Sequence, residues 1–113
     1  MQREVAKLLY DIQQACQAVA QFTHGKSLDD YQDDLLLRSA VERQLMIVGE
    51  ALFQAIKHDE SLAASITDAR RIIDFRNVIV HGYAALEHET VWGIVERDVP
   101  KLAREVEAML AGG

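Results

Sequence analysis

Arg76, His81 and Tyr83 place a fixed cation, a group that titrates near neutrality and a phenol within one short stretch. An arginine can grip two phosphate oxygens at once and stabilise charge that develops on them. A histidine can take or give a proton near pH 7. Together they suit cleavage of an RNA phosphodiester without a metal. The histidine would activate the ribose 2′-hydroxyl or protonate the leaving oxygen, while the arginine would hold the pentacoordinate phosphorus. The bland alternative is that a lone histidine on a helix is structural. Spacing adds a constraint, because residues five apart lie about 140° apart around a regular helix. To meet at one phosphate, Arg76 must reach round, the helix must distort near Gly82, or two copies of the helix must meet.

The element that must position these residues is a helix over residues 68–81, capped by Thr67 or Asp68 and ended by Gly82. Ile72, Ile73, Phe75, Val78, Ile79 and Val80 cover most of its circumference, so it is expected to lie in a core or an interface. Arg70, Asp74, Asn77 and His81 follow an i, i+4, i+7, i+11 path and form one narrow polar stripe. Arg76 falls inside the apolar arc. A buried guanidinium needs a carboxylate or carbonyl, and Glu50 is the candidate partner. Glu50 follows Gly49, an interior helix glycine whose cost of about 1 kcal/mol relative to Ala suggests close approach of another backbone.

Three further helical patterns surround this one. Residues 3–22 carry Val5, Leu8, Leu9, Ile12, Cys16, Val19 and Ala20 on one face, with Gly25 as the stop. From about Asp34 to Lys57, Leu37, Val41, Leu45, Val48 and Leu52 track one face, widened by Ala40, Ile47, Ala51, Ala55 and Ile56. Ser27 and Asp30 resemble a capping arrangement before it. Asp29, Asp30, Asp33 and Asp34 could suggest a divalent cation, but acids in a first helical turn are common through the helix dipole, and no glycine-containing calcium loop accompanies them. Residues 61–67 form a short helix or loop. Residues 87–110 read as one kinked helix or two, with Val91 and Trp92 facing in, Pro100 near a second start and Asp98 as its possible cap.

With one Pro and one Cys in 113 residues, neither an all-β fold nor a disulfide is supported. The expected class is all-α, a single domain over residues 1–113 built as an antiparallel bundle of four or five helices. Cys16 reads as packing and not as a reactive thiol. No signal peptide and no apolar run of transmembrane length is present, so the expected compartment is the cytoplasm and no membrane is involved. The net charge of −6 argues against polyanion binding over the whole surface and confines any nucleic-acid site to a cleft, where Arg70, Arg71 and Arg76 could focus the field. No cofactor or metal is implied, and nothing marks an aromatic platform for a base.

Arg76-Asn77-Val78-Ile79-Val80-His81-Gly82-Tyr83 reads as R-N-x-x-x-H-x-Y, which resembles the signature of HEPN-domain ribonucleases of the HepT type. These are the toxin halves of HepT–MntA toxin–antitoxin pairs, of the kind grouped as type VII. Val48-Gly49-Glu50-Ala51, Val91-Trp92 and the Pro-containing last helix are also similar, so the resemblance covers nearly the whole chain. It implies a helical bundle that forms a homodimer through the motif helices, with metal-independent endoribonuclease activity in a composite cleft. It also implies that Arg76 and His81 are the catalytic pair and that Asn77 positions them or the phosphate, while Asp74, Glu50 and Arg70 are candidates, on the residue pattern itself, for structural or electrostatic support. Tyr83 matches the tyrosine whose hydroxyl receives AMP from a minimal nucleotidyltransferase antitoxin of the MntA type. A second reading makes such a protein a non-catalytic substrate-binding partner of the nucleotidyltransferase. A third makes it a purely structural helical dimer.

Overall fold

The computed structural model describes residues 1–112, apart from the side chain of Tyr83. It is all-α, with no strand among the described residues. Four principal helical runs make the bundle: α1 (Arg3–Thr23), α3 (Leu35–His58), α5 (Ala69–His81) and a run from His88 to Gly112. Short helices α2 (Leu28–Asp33) and α4 (Leu62–Ser65) link the first three. The last run comprises α6 (His88–Gly93), a π-helical turn (Ile94–Asp98) and α7 (Val99–Gly112).

The apolar faces read from the sequence meet one another. α1 buries Val5, Leu9, Ile12, Cys16 and Val19 against α3 and α7, while α3 buries Val41, Leu45, Val48 and Leu52. α3 is therefore covered by α1 on one side and by α5 on the other. Gly25, in the left-handed region at φ +72°, ends α1. Ser27 accepts from the Asp30 N–H and Asp30 accepts from the Ser27 N–H, a reciprocal cap that holds the Asp30 carboxyl below its usual range. The Asp34 carboxylate accepts from the Leu37 N–H and starts α3. Two of the four acids in this segment thus have structural work. Tyr31 of α2 is fully buried, edge-on to His88 and tilted against Trp92, which fastens α2 to α6.

Two local expectations need correction. Neither Thr67 nor Asp68 caps α5 with its side chain. Thr67 instead donates from its N–H (3.2 Å) and hydroxyl (2.7 Å) to the Glu105 carboxylate on α7, and Asp68 turns the chain at φ +58°. Asp98 does not cap α7 because the chain is already helical there; it pairs with Arg71 at 3.2 Å. The helical run is continuous through the π turn. The ring of Pro100 would crowd the Glu96 carbonyl in a regular helix and offers it no N–H. Widening over Ile94–Asp98, where the Val99 N–H reaches the Ile94 carbonyl, accommodates both problems.

The chain covers α5 only in part. Only Ala69 and Ile79 are fully buried; Ile72, Ile73, Phe75 and Val80 are half-buried and Val78 is 42% exposed. α3 covers one side of α5, Ile72, Ile73 and Phe75 pack against the core, and Val78 is left exposed.

Candidate active site

The site begins with the missing side chain of Gly49. A Cβ there would lie 2.2 Å from Arg76 Cβ, 2.8 Å from Arg76 Cγ and 3.4 Å from the Ile72 carbonyl oxygen. α5 therefore crosses α3 with the aliphatic stem of Arg76 laid over the Gly49 backbone, which is the close approach that an interior glycine suggests. An arginine can occupy an apolar arc in this way, because its stem packs while its charged head reaches polar partners.

The next residue along α3 receives that head. Arg76 Nη2 meets Glu50 Oε2 at 3.0 Å, and Nη1 donates to Asn77 Oδ1 at 2.9 Å. Glu50 also accepts from Gln54 Nε2 at 3.1 Å, which steadies the carboxylate from one turn further on. The Arg76 side chain is 27% exposed, while its Nε is buried without a partner among the described residues. The arrangement fixes the guanidinium plane and leaves part of its edge at the surface.

The other candidates are placed differently. His81 is exposed and is the last residue of α5, which is regular α-helix to that point. The separation of about 140° therefore stands within one chain, and Arg76 is turned toward α3. Arg70 Nε pairs with Asp74 Oδ1 at 3.2 Å, an exposed i, i+4 pair contributing at most a few tenths of a kcal/mol. Neither contacts Arg76. Arg71 is tied to Asp98 and its charge is spent on holding α5 to the π turn, so the local field is weaker than three free arginines would make it. Tyr83 follows Gly82 in the tight turn Tyr83–Ala85, and its side chain lies outside the described residues.

Two residues beside the site are not suggested by the sequence reading. Phe53 is 44% exposed and shares a surface recess with Glu50, Ile73, Arg76 and Asn77, and the Lys57 ammonium lies 5.8 Å from its ring centroid. The signal was angular: Phe53 follows Leu52 by about 100°, which turns it off the buried face of α3 and toward α5.

The sequence pattern of the family described as HepT-like (Ribonuclease HepT-like) matches residues 12–109. The chain is 32% identical over 105 residues to a Methanocaldococcus jannaschii protein named "Putative RNase MJ1380", covering 93% of this chain and 95% of that one. It is 28% identical over 109 residues to the "Probable ribonuclease HepT" of Thermococcus cleftensis, covering 96% and 98% respectively. A Caldanaerobacter subterraneus protein named "Putative RNase TTE0752" is 26% identical over 102 residues, covering 90% of each chain. No solved structure matches the chain.

Proposed function

The chain belongs to the HepT-like family, and from that premise we propose that it is a ribonuclease toxin whose active site is built by two copies around Arg76 and His81. The observation that carries this reading is the divergence of the two side chains on one regular helix. Arg76 is held against α3 by Glu50, His81 stands exposed at the helix end, and Val78, between them in sequence, leaves an apolar side chain exposed. A two-fold axis along that face would bring the His81 of one copy toward the Arg76 of the other and bury Val78.

The chemistry at that cleft is metal-independent transesterification. The ribose 2′-oxygen attacks the adjacent phosphorus, the bond to the 5′-oxygen breaks, and the products are a 2′,3′-cyclic phosphate and a 5′-hydroxyl. The proton leaving the 2′-hydroxyl and the proton reaching the 5′-oxygen pass through His81. Arg76 stabilises the added negative charge on the phosphorane oxygens, and Asn77 keeps the guanidinium in plane. Glu50 is the positioning residue, while Arg70 and Asp74 line the neighbouring groove with Phe53, Ile73 and Asn77.

Control belongs to Tyr83. Its phenolic oxygen attacks the α-phosphate of ATP on an MntA-like nucleotidyltransferase antitoxin, displacing pyrophosphate and leaving AMP on the turn next to His81. The added phosphate and adenine repel or obstruct RNA. The toxin–antitoxin pair acts in the cytoplasm. None of the helices among the described residues is long and apolar enough to cross a membrane.

The alternative of a non-catalytic nucleotidyltransferase partner has one observation in its favour: the charge of Arg76 is already met by Glu50. One assay separates the two. The purified chain, confirmed by mass to carry no AMP, is incubated with RNA in EDTA beside Arg76→Ala and His81→Ala. Cleavage by the parent and loss of about 100-fold or more in both variants is expected. An inactive parent would leave the partner reading. Incubation with the transferase and ATP should add AMP to the parent and none to Tyr83→Phe.

A further inference from the structure

We propose that Phe53 is a stacking platform for an unpaired base of the RNA, beside the phosphate held by Arg76. This inference rests on the ribonuclease reading and adds to it a binding residue on α3, outside the R-N-x-x-x-H-x-Y stretch.

Phe53 lies one turn beyond Glu50 on α3, and the two residues share one recess with Ile73, Arg76 and Asn77. The recess has a volume of about 160 Å³ and opens to solvent, room for a flat ring laid against the phenyl face. A solvent-exposed aromatic next to a phosphate-binding arginine is the pairing that single-stranded nucleic acids use, because every base has a π-face and each base is followed by a phosphate. The charges around Phe53 agree with this. Glu50 is tied to Arg76 and Asp74 to Arg70, which leaves Lys57, over the ring, as a cation with no acidic partner among the described residues. A phosphate neighbouring the stacked base can draw Lys57 away from the ring.

Asn77 supplies the polar contact. A guanidinium has only donors, so the Asn77 atom facing Arg76 must be Oδ1. Its Nδ2 hydrogens are then left for an acceptor, and they find none among the described residues. A base stacked on Phe53 would present ring nitrogen and carbonyl acceptors to them.

The test uses full-length chain in a His81→Ala background, so that RNA survives, and a labelled single-stranded oligoribonucleotide beside an abasic oligonucleotide of equal length. Phe53→Ala and Phe53→Leu should each weaken binding of the base-bearing strand by about 5- to 100-fold, while Phe53→Tyr should bind like the parent. The abasic strand should bind weakly and be indifferent to all three changes. Leu preserves apolar contact between proteins but not stacking, so parent-like binding by Phe53→Leu overturns the proposal. So does a fall in assembly mass by light scattering in Phe53→Leu, which would make Phe53 a contact between copies. If the His81-intact parent cleaves RNA in EDTA and Phe53→Leu cleaves equally well, only the stacking role fails. If the parent neither binds nor cleaves RNA, the ribonuclease reading fails with it.

Discussion

Gly49 decides whether Arg76 can reach Glu50 at all. Replacing it with Ala should help an isolated helix by about 1 kcal/mol, but here the new Cβ would sit 2.2 Å from Arg76 Cβ, an atom fixed to the α5 backbone. Rotamer change cannot relieve such a contact, so α5 must lift from α3. Overpacking of this kind typically costs about 1–3 kcal/mol, and with the Arg76–Glu50 geometry lost as well the clash should win. Gly49→Ala should lower the denaturant midpoint with little change in slope and reduce RNA cleavage by about tenfold or more. A variant as stable and as active as the parent would show that the helices do not touch there. The Glu50–Arg76 pair was legible in the sequence, since a guanidinium in an apolar arc needs a carboxylate, whereas Gly49 announced only the close approach of some other backbone and not that Arg76 crosses it. Phe53 was not legible in the same way. Its angle on α3 turns it off the buried face, but among Leu52, Ala55 and Ile56 it looks like core until the course of α5 beside it shows the ring left open.

α5 illustrates how far periodicity reaches. Hydrophobic spacing located it and its Gly82 stop, but spacing reports that a face is apolar, not which molecule covers it. Hence core and interface both stayed open as readings, and the chain itself buries only Ala69 and Ile79. The start of α5 and the end of the chain were hidden for a related reason. The Thr67 contact to Glu105 and the Arg71 pair with Asp98 span distant segments, which local capping rules cannot see. The apolar surplus yields a prediction at this scale. Val78 is 42% exposed, so Val78→Lys should leave helix content and the folded chain intact. In the proposed dimer the same lysine would be buried without a partner, a cost of several kcal/mol. Light scattering should find the parent at twice the mass of the variant, and cleavage of RNA in EDTA should fall to background. A Val78→Lys monomer that cleaves as fast as the parent would place the whole site within one chain.

At the scale of the molecule, the bundle measures 42 × 28 × 19 Å, about two helix diameters in its thinnest direction. Little of such a body is far from solvent, and its deepest part is the seam where α1 meets α3 and α7. Cys16 lies there at 2% exposure, and burial pushes its thiol up to about 12 from an ordinary 9.0. The sign follows from proton binding. Between those values the folded chain keeps the proton and the unfolded chain releases it, so this group's contribution is complete below about pH 9 and is lost as pH rises toward 12. Relative to Cys16→Ala, the parent should lose about 1 kcal/mol of unfolding free energy between pH 8 and pH 10, the difference cancelling most titrations common to both. Thiol reagents at pH 8 should modify Cys16 only as fast as the seam opens, and the rate should track global unfolding across a denaturant series. Rapid labelling in the folded chain would mean that α1 separates from α7 locally, and the bundle would then be less cooperative than its shared core implies.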